Sequence, residues 1–329
     1  MHPELALYAK PKKPRLPPCV HYAGQPKLID KALQLQAERG GLFDVTIDLE
    51  DGAAAGQERA LAEHAAVMVS RPREKWCRVG VRVHDPRHPA FLEDLRIVSA
   101  ASAHLAFWVV PKVNGVDDVR YAAAAIQDAH RARGGGEVAP LHVLIESQGA
   151  LAEVRPIAAL PQVETLDFGL MDFISDHQGA IPAECMRSPG QFEHGLVRRA
   201  KLELAAAALA HGKTPVHNVT LALRDPAQVE ADARRARKEL GFLRMWSVHP
   251  LQIEPILRGL APSDEEIQRA AEVLELAEAK DWAPIELRGQ LHDRASYRYD
   301  WDLLEEAHRA GRPLPDGARR WFEAPPKDE

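Results

Sequence analysis

Short apolar, β-branched runs alternate along most of this chain with longer Ala/Leu/charged segments whose apolar positions recur at helical spacing. The runs predict strands at 19–22, 43–49, 78–83, 107–113, 141–146, 165–170, 215–221 and 245–248. Between them the spacing predicts helices, among others at 27–39, 57–69, 116–133, 190–211 and 225–240. Strand–helix alternation means parallel pairing, and eight such units in about 230 residues match a closed (β/α)8 TIM barrel in count and size. An open doubly wound sheet is the alternative, disfavoured because no GxGxxG follows the first strand.

The ends of the chain read differently. Residues 1–18 hold five prolines and four lysines or arginines, which predicts an arm rather than a core element. The expected barrel spans 19–262. A helix follows at 263–279, with Ser263 as N-cap and Glu266 completing a capping box. The rest of 263–329 carries three of the six tryptophans and predicts a C-terminal helical lid or oligomerisation extension, ending in a frayed PPKDE tail.

Composition narrows the class. A net charge of -6 argues against nucleic acid as a partner, since phosphate binding needs a basic face. The basic clusters at 198–201 and 234–238 sit in helical stretches and read as solvated faces. Three scattered cysteines suggest neither a disulfide framework nor a zinc site, and point to a reducing, cytoplasmic setting. The N-terminus lacks the apolar core of a signal peptide, and no run approaches the ~18 apolar residues of a membrane span. The expectation is a cytoplasmic protein with no membrane partner.

Chemistry in this fold belongs where strands end and helices have not yet begun. Those positions are strongly polar here: Glu50 and Asp51, Arg82 and His84, Lys112, Glu146, Asp172, His217 with Asn218, and His249. A purely structural barrel has no need of a charge at nearly every mouth position, so the pattern predicts an enzyme. Glu146 and Asp172 end neighbouring strands, and two such carboxylates suit a hard cation, Mg2+, that keeps water and substrate in its other positions. Arg82 can fork a substrate carboxylate or hold an enolate oxygen, or else pair with Glu50 or Glu146. Asp48 pairs with a cation or faces the helices. Glu50 and Asp51 fit an outer shell around metal waters. Lys112 reads as a counter-charge for the carboxylates, with a Schiff-base amine as the rival. His249, in a His-Pro corner, is an acid/base or, more readily, a loop anchor; His84 and His217 read as surface or mouth-polar groups.

The ordered segments VTIDLEDG, VGVRV, VVPKV, VLIES, LDFGLMDFISD and WSVHPLQI resemble the family of the citrate lyase β-subunit and malyl-CoA lyase, over roughly residues 26–279. That resemblance implies a TIM barrel, with Glu146 and Asp172 as Mg2+ ligands and Arg82 as the group that holds a substrate carboxylate or enolate. It also implies a homotrimer or hexamer, and an aspartate from a C-terminal segment acting in a neighbour's site, for which LHDRAS offers Asp293. The small-molecule substrate it implies is a β-hydroxyacyl-CoA of the malyl or citramalyl type, cleaved or formed by a carbon–carbon lyase; a metal-dependent aldolase acting on free hydroxy-oxo acids, or a Schiff-base aldolase using Lys112, are the alternatives. The chain departs from the family at RLPPCVHYAG, where only Arg15 is nearby, at His84, where asparagine is usual, and at SYRYDWDLLEE.

Overall fold

A computed structural model describes residues 1–9, 15–51 and 56–323. Eight parallel strands close into a barrel in sequence order: β1 (Cys19–Ala23), β2 (Phe43–Asp48), β3 (Val79–Arg82), β4 (Phe107–Val110), β5 (Leu141–Ile145), β6 (Val163–Phe168), β7 (Thr214–His217) and β8 (Arg244–Ser247), with β8 pairing back to β1. Every expected strand is present, most of them shorter than its apolar run, because the polar residues at the C-terminal ends belong to loops. The expected helix at 190–211 is broken at His194 into Gly190–Glu193 and Gly195–Ala210.

The period of two along each strand sorts side chains between two cores. Outward residues such as Val45, Ile47, Val81, Val143 and Phe168 join the main cluster beneath the helices. Inward residues fill the barrel: Val20, Tyr22, Phe107, Val109, Leu144, Val216 and Trp246 form a separate apolar cluster. The remaining inward positions are polar and buried, including Asp44, Thr46 and Asp48 of β2.

Two compact units divide the chain: Leu16–Leu260, which is the barrel, and Met1–Arg15 with Ala261–Glu329. The expected N-terminal arm therefore needs correction. Pro3–Leu7 is a short helix, and its Ala6 and Leu7 are buried in the cluster formed by the C-terminal helices. In the same unit Asp264–Ala279 has the expected capping box, Ile285–Leu287 and Gln290–His292 form a small antiparallel pair, and Arg294–Arg309 buries Tyr297 and Trp301. Arg15 pairs there with Asp302 at 3.1 Å. The PPKDE tail lies outside the described residues. Among the described residues no helix is long and apolar enough to cross a membrane.

A second correction concerns the basic stretch at 198–201. Lys201 is fully buried, not solvated: its Nζ lies 2.9 Å from His217 Nε2 and 3.1 Å from Gln191 Oε1, 4.8 Å from the Phe192 ring centre. Burial pushes its ammonium well below the usual lysine range. His217 packs against Phe192 and Phe242, so it and Asn218, which donates to Gln191, belong to a buried polar knot rather than to the barrel mouth.

Candidate active site

Glu146 follows directly on β5 and is buried. Its Oε1 accepts the Lys112 backbone N–H at 2.5 Å. That amide is aimed by an uncommon backbone, since Lys112 has φ 52°, and its carbonyl is held by Arg87 Nη2 at 2.5 Å. On its other side Glu146 lies against Gly169, where an added Cβ would come within 2.3 Å of Oε2. The glycine is therefore the space the carboxylate occupies. Burial first, and then the charge of Asp172, push Glu146 up to about 8; the Lys112 N–H and Arg82 pull the other way and do not compensate.

Asp172 is not a strand-end residue as expected: β6 stops at Phe168, and Asp172 sits in the first turn of the short helix Leu170–Ser175. The helical turn brings its carboxylate beside Glu146 and 3.9 Å from Lys112 Nζ. Lys112 spans the acidic residues, reaching Glu50 at 2.5 Å and Asp51 at 3.0 Å. Burial opposes the charge on Lys112, but these two carboxylates outweigh it and hold the amine protonated well above its usual range. A Schiff-base nucleophile needs the opposite, so these ion pairs suit Lys112 to a counter-charge rather than a nucleophile.

Arg82 closes β3, buried, and its fork is already in use. Nε and Nη2 each donate to Asp48 at 2.7 Å, and Nη1 lies 3.1 Å from Glu50. Sequence reasoning left Asp48 without a definite partner, although it ends the inward-facing row Asp44, Thr46 and Asp48 of β2. The Tyr22 ring lies against the same guanidinium, 5.4 Å from Cζ. The Nε/Nη2 edge that would have taken a substrate carboxylate is thus filled by Asp48, and Nη1 faces Glu50. His84 is drawn away by Asp94 at 2.6 Å and stacks on His88. His249 Nδ1 accepts from Leu251 N at 3.2 Å, at the start of the helix Pro250–Leu260. Asp293 is exposed and caps Arg294–Arg309 in a capping box, its Oδ1 accepting from Ala295 N at 2.9 Å.

The mouth gathers Asp48, Glu50, Asp51, Glu146 and Asp172 around two cations, Arg82 and Lys112. The excess of negative charge falls on Glu146 and Asp172. Their oxygens are hard donors, too few to cage an ion alone, which is how Mg2+ is commonly held with water and substrate completing it. Among the described residues no three acidic, His or Cys groups form a complete metal cage. The donor set, the seat at Gly169 and the raised Glu146 fit a divalent cation.

Residues 25–250 match the model of the HpcH/HpaI aldolase/citrate lyase family. The chain belongs to that family and is a carbon–carbon lyase. It is 27% identical over 278 residues to an L-malyl-CoA/beta-methylmalyl-CoA lyase of Cereibacter sphaeroides, covering 80% of this chain and 86% of the relative. A citrate lyase structure from Burkholderia xenovorans superposes with a TM-score of 0.84 at 46% identity, over 98% of this chain and 99% of that one. The CitE protein of Mycobacterium tuberculosis, solved with magnesium, acetoacetate and coenzyme A, shares the fold at a TM-score of 0.71 and 22% identity, over 89% and 98% of the two chains.

Proposed function

We propose that this enzyme is a Mg2+-dependent lyase that cleaves, or forms, a carbon–carbon bond in a β-hydroxyacyl-CoA of the malyl or citramalyl type. The observation that carries the proposal is the facing pair Glu146 and Asp172: burial, and then the Asp172 charge, raise Glu146 to about 8. Glu146 and Asp172 hold the ion. Mg2+, when bound, supplies Lewis-acid polarisation and a template for the oxygen atoms of the oxo-acid half. Arg82, braced by Asp48 and Glu50, supplies positive charge beside the oxygen that gains charge. In the cleavage direction the substrate hydroxyl gives its proton to a base and the carbon–carbon electron pair passes into an acyl-thioester enolate. The oxo acid leaves, and a proton then quenches the enolate. Lys112 keeps Glu50 and Asp51 charged and in place as an outer shell.

Asp293 is the candidate base, delivered from a neighbouring subunit of a homotrimer or hexamer. Asp293→Asn retains a capping side chain, so lost activity would report chemistry rather than folding. Mixing it with inactive Glu146→Gln in verified hybrid oligomers restores part of the activity if the site is shared; hybrids that stay inactive place Asp293 in its own subunit's site or nowhere. The whole reading is tested by assaying malyl-CoA, citramalyl-CoA and free hydroxy-oxo acids with Mg2+ and with EDTA. Turnover of a CoA thioester that EDTA abolishes and Mg2+ restores is expected; full activity in EDTA overturns the metal role, and turnover of free acids alone overturns the thioester.

A further inference from the structure

At the end of the barrel where strands begin, remote from the mouth, a cavity of about 720 Å³ opens between the helix Pro26–Glu38 and the segment leading into β3. Its size lies within the range of small-molecule sites, and its wall is mainly apolar with a few polar groups, as such sites are. Leu33, Ala37 and Pro72 supply apolar wall, and Arg71, Arg73 and Trp76 supply the rest of the recognition surface.

Arg73 is the unusual member. It is half-buried, and its hydrogen bonds go to backbone carbonyls alone, those of Arg71 and Met68. Its Nη1 is shielded from water with no hydrogen-bond partner, and among the described residues no carboxylate pairs with the guanidinium, which a ligand in the cavity reaches once the side chain turns toward it. A guanidinium in that condition is short of an anion. Burial pulls it below its usual range against the opposing pull of Cys77, and the neighbouring Arg71 adds to the effect. Glu74, also on the wall, is exposed and left to water. Trp76 is 55% exposed, yet it is held in place. Gly41, at φ 73°, lies so close that a Cβ there would meet the Trp76 carbonyl at 2.5 Å and its ring at 2.7 Å. The fold thus fixes an exposed indole beside an unneutralised guanidinium.

We propose that this cavity is a second ligand site, which takes a small planar anion: an aromatic or heteroaromatic ring stacked on Trp76, carrying a carboxylate or phosphate that pairs with Arg73. Stacking on the indole and a charge-assisted bond to a partly desolvated guanidinium are independent contributions, so each can be removed alone. The site lies on the opposite end of the strands from Glu146 and Asp172, so its ligand is not the substrate of the lyase reaction.

Isothermal titration of the intact protein with 1-naphthyl phosphate tests this, with inorganic phosphate as the ringless control. Saturable binding at sub-millimolar concentration is expected, weakened about 10-fold or more by Arg73→Met and by Trp76→Ala, and far weaker for phosphate. Glu146→Gln must leave it unchanged, which separates this site from the mouth. Trp76 is exposed, so Trp76→Ala keeps the fold even if Arg73→Met does not. No binding at millimolar probe, or equal binding by wild type and Trp76→Ala, overturns the proposal. So does a change of oligomeric state in Trp76→Ala without probe binding, because the face is then a subunit contact.

Discussion

Two glutamates on the inward face of one barrel have opposite fates. Glu164, near the start of β6, bonds Arg78 at 2.6 Å and His142 at 2.8 Å. Burial pushes it up, but these partners outweigh burial and hold it down at about 2. Glu146, at the far end of β5, has an amide and a distant guanidinium against burial and Asp172, and lies at about 8. Around Glu164 the charges find counter-charges: Asp44, though burial raises it, pairs with Arg244 at 2.6 Å and lies 3.6 Å from Arg78, and His142 is neutral because burial pushes it down to about 4. Around Glu146 they do not. The lesson is that buried charge alone does not mark a site; a carboxylate left short of partners does.

The comparison breaks first at Glu146. Glu146→Gln or Asp172→Asn should cut Mg2+-dependent turnover by about 10³-fold or more while the melting temperature holds, because shape is kept and a hard anionic ligand is lost. A steady-state assay beside a thermal melt checks both halves. At the other end the reverse is expected. Arg244→Met removes the nearer partner of the buried Asp44 charge, leaving Arg78 at 3.6 Å, and should cost about 3 kcal/mol by urea denaturation, with turnover per folded molecule nearly unchanged. Equal damage to activity would mean the two ends are not separable.

Acid sharpens the same contrast. In the unfolded chain a histidine at the ordinary 6.5 takes up a proton that folded His142 refuses until about 4, so the unfolded state binds more protons across that window. The His142 contribution to stability is therefore full above about 6.5 and is lost, by about 3 kcal/mol, towards pH 4, while the raised Glu146 works in the opposite sense from about 8 downward. Glu164, charged in the fold down to about 2, extends the loss below its ordinary 4.5. Urea titrations at several pH values should show His142→Gln flattening the upper part of the fall; an unchanged slope would assign it elsewhere.

Two smaller effects probe how the mouth is built. Arg82→Lys keeps the charge but loses the planar fork held by Asp48, with an expected fall in kcat/KM of about 10²-fold. Kinetic silence would leave Arg82 a structural cation. Gly169→Ala leaves both proposed ligands in the chain and only pushes Glu146 from its seat. Mg2+ affinity, read by titration calorimetry, should weaken about 10- to 100-fold.

The alternation of apolar runs and helical periods was enough to read eight strands, parallel pairing and a closed barrel, because burial on a strand or helix face is written locally in residue spacing. So were the positions of Glu146, Arg82 and Lys112 at or just beyond strand ends, since strand ends are local features. What spacing could not carry was which charges meet. Asp48 of β2 takes the fork of Arg82 on β3, and Gly169 after β6 makes room for Glu146 after β5. Lys201, in a stretch that reads as a solvated basic face, is buried against His217, sixteen residues away. Pro3–Leu7 joins a core built more than 250 residues later. Each of these depends on distances between residues remote in the chain, and closure of the barrel and the packing of helices around it alone determine those distances.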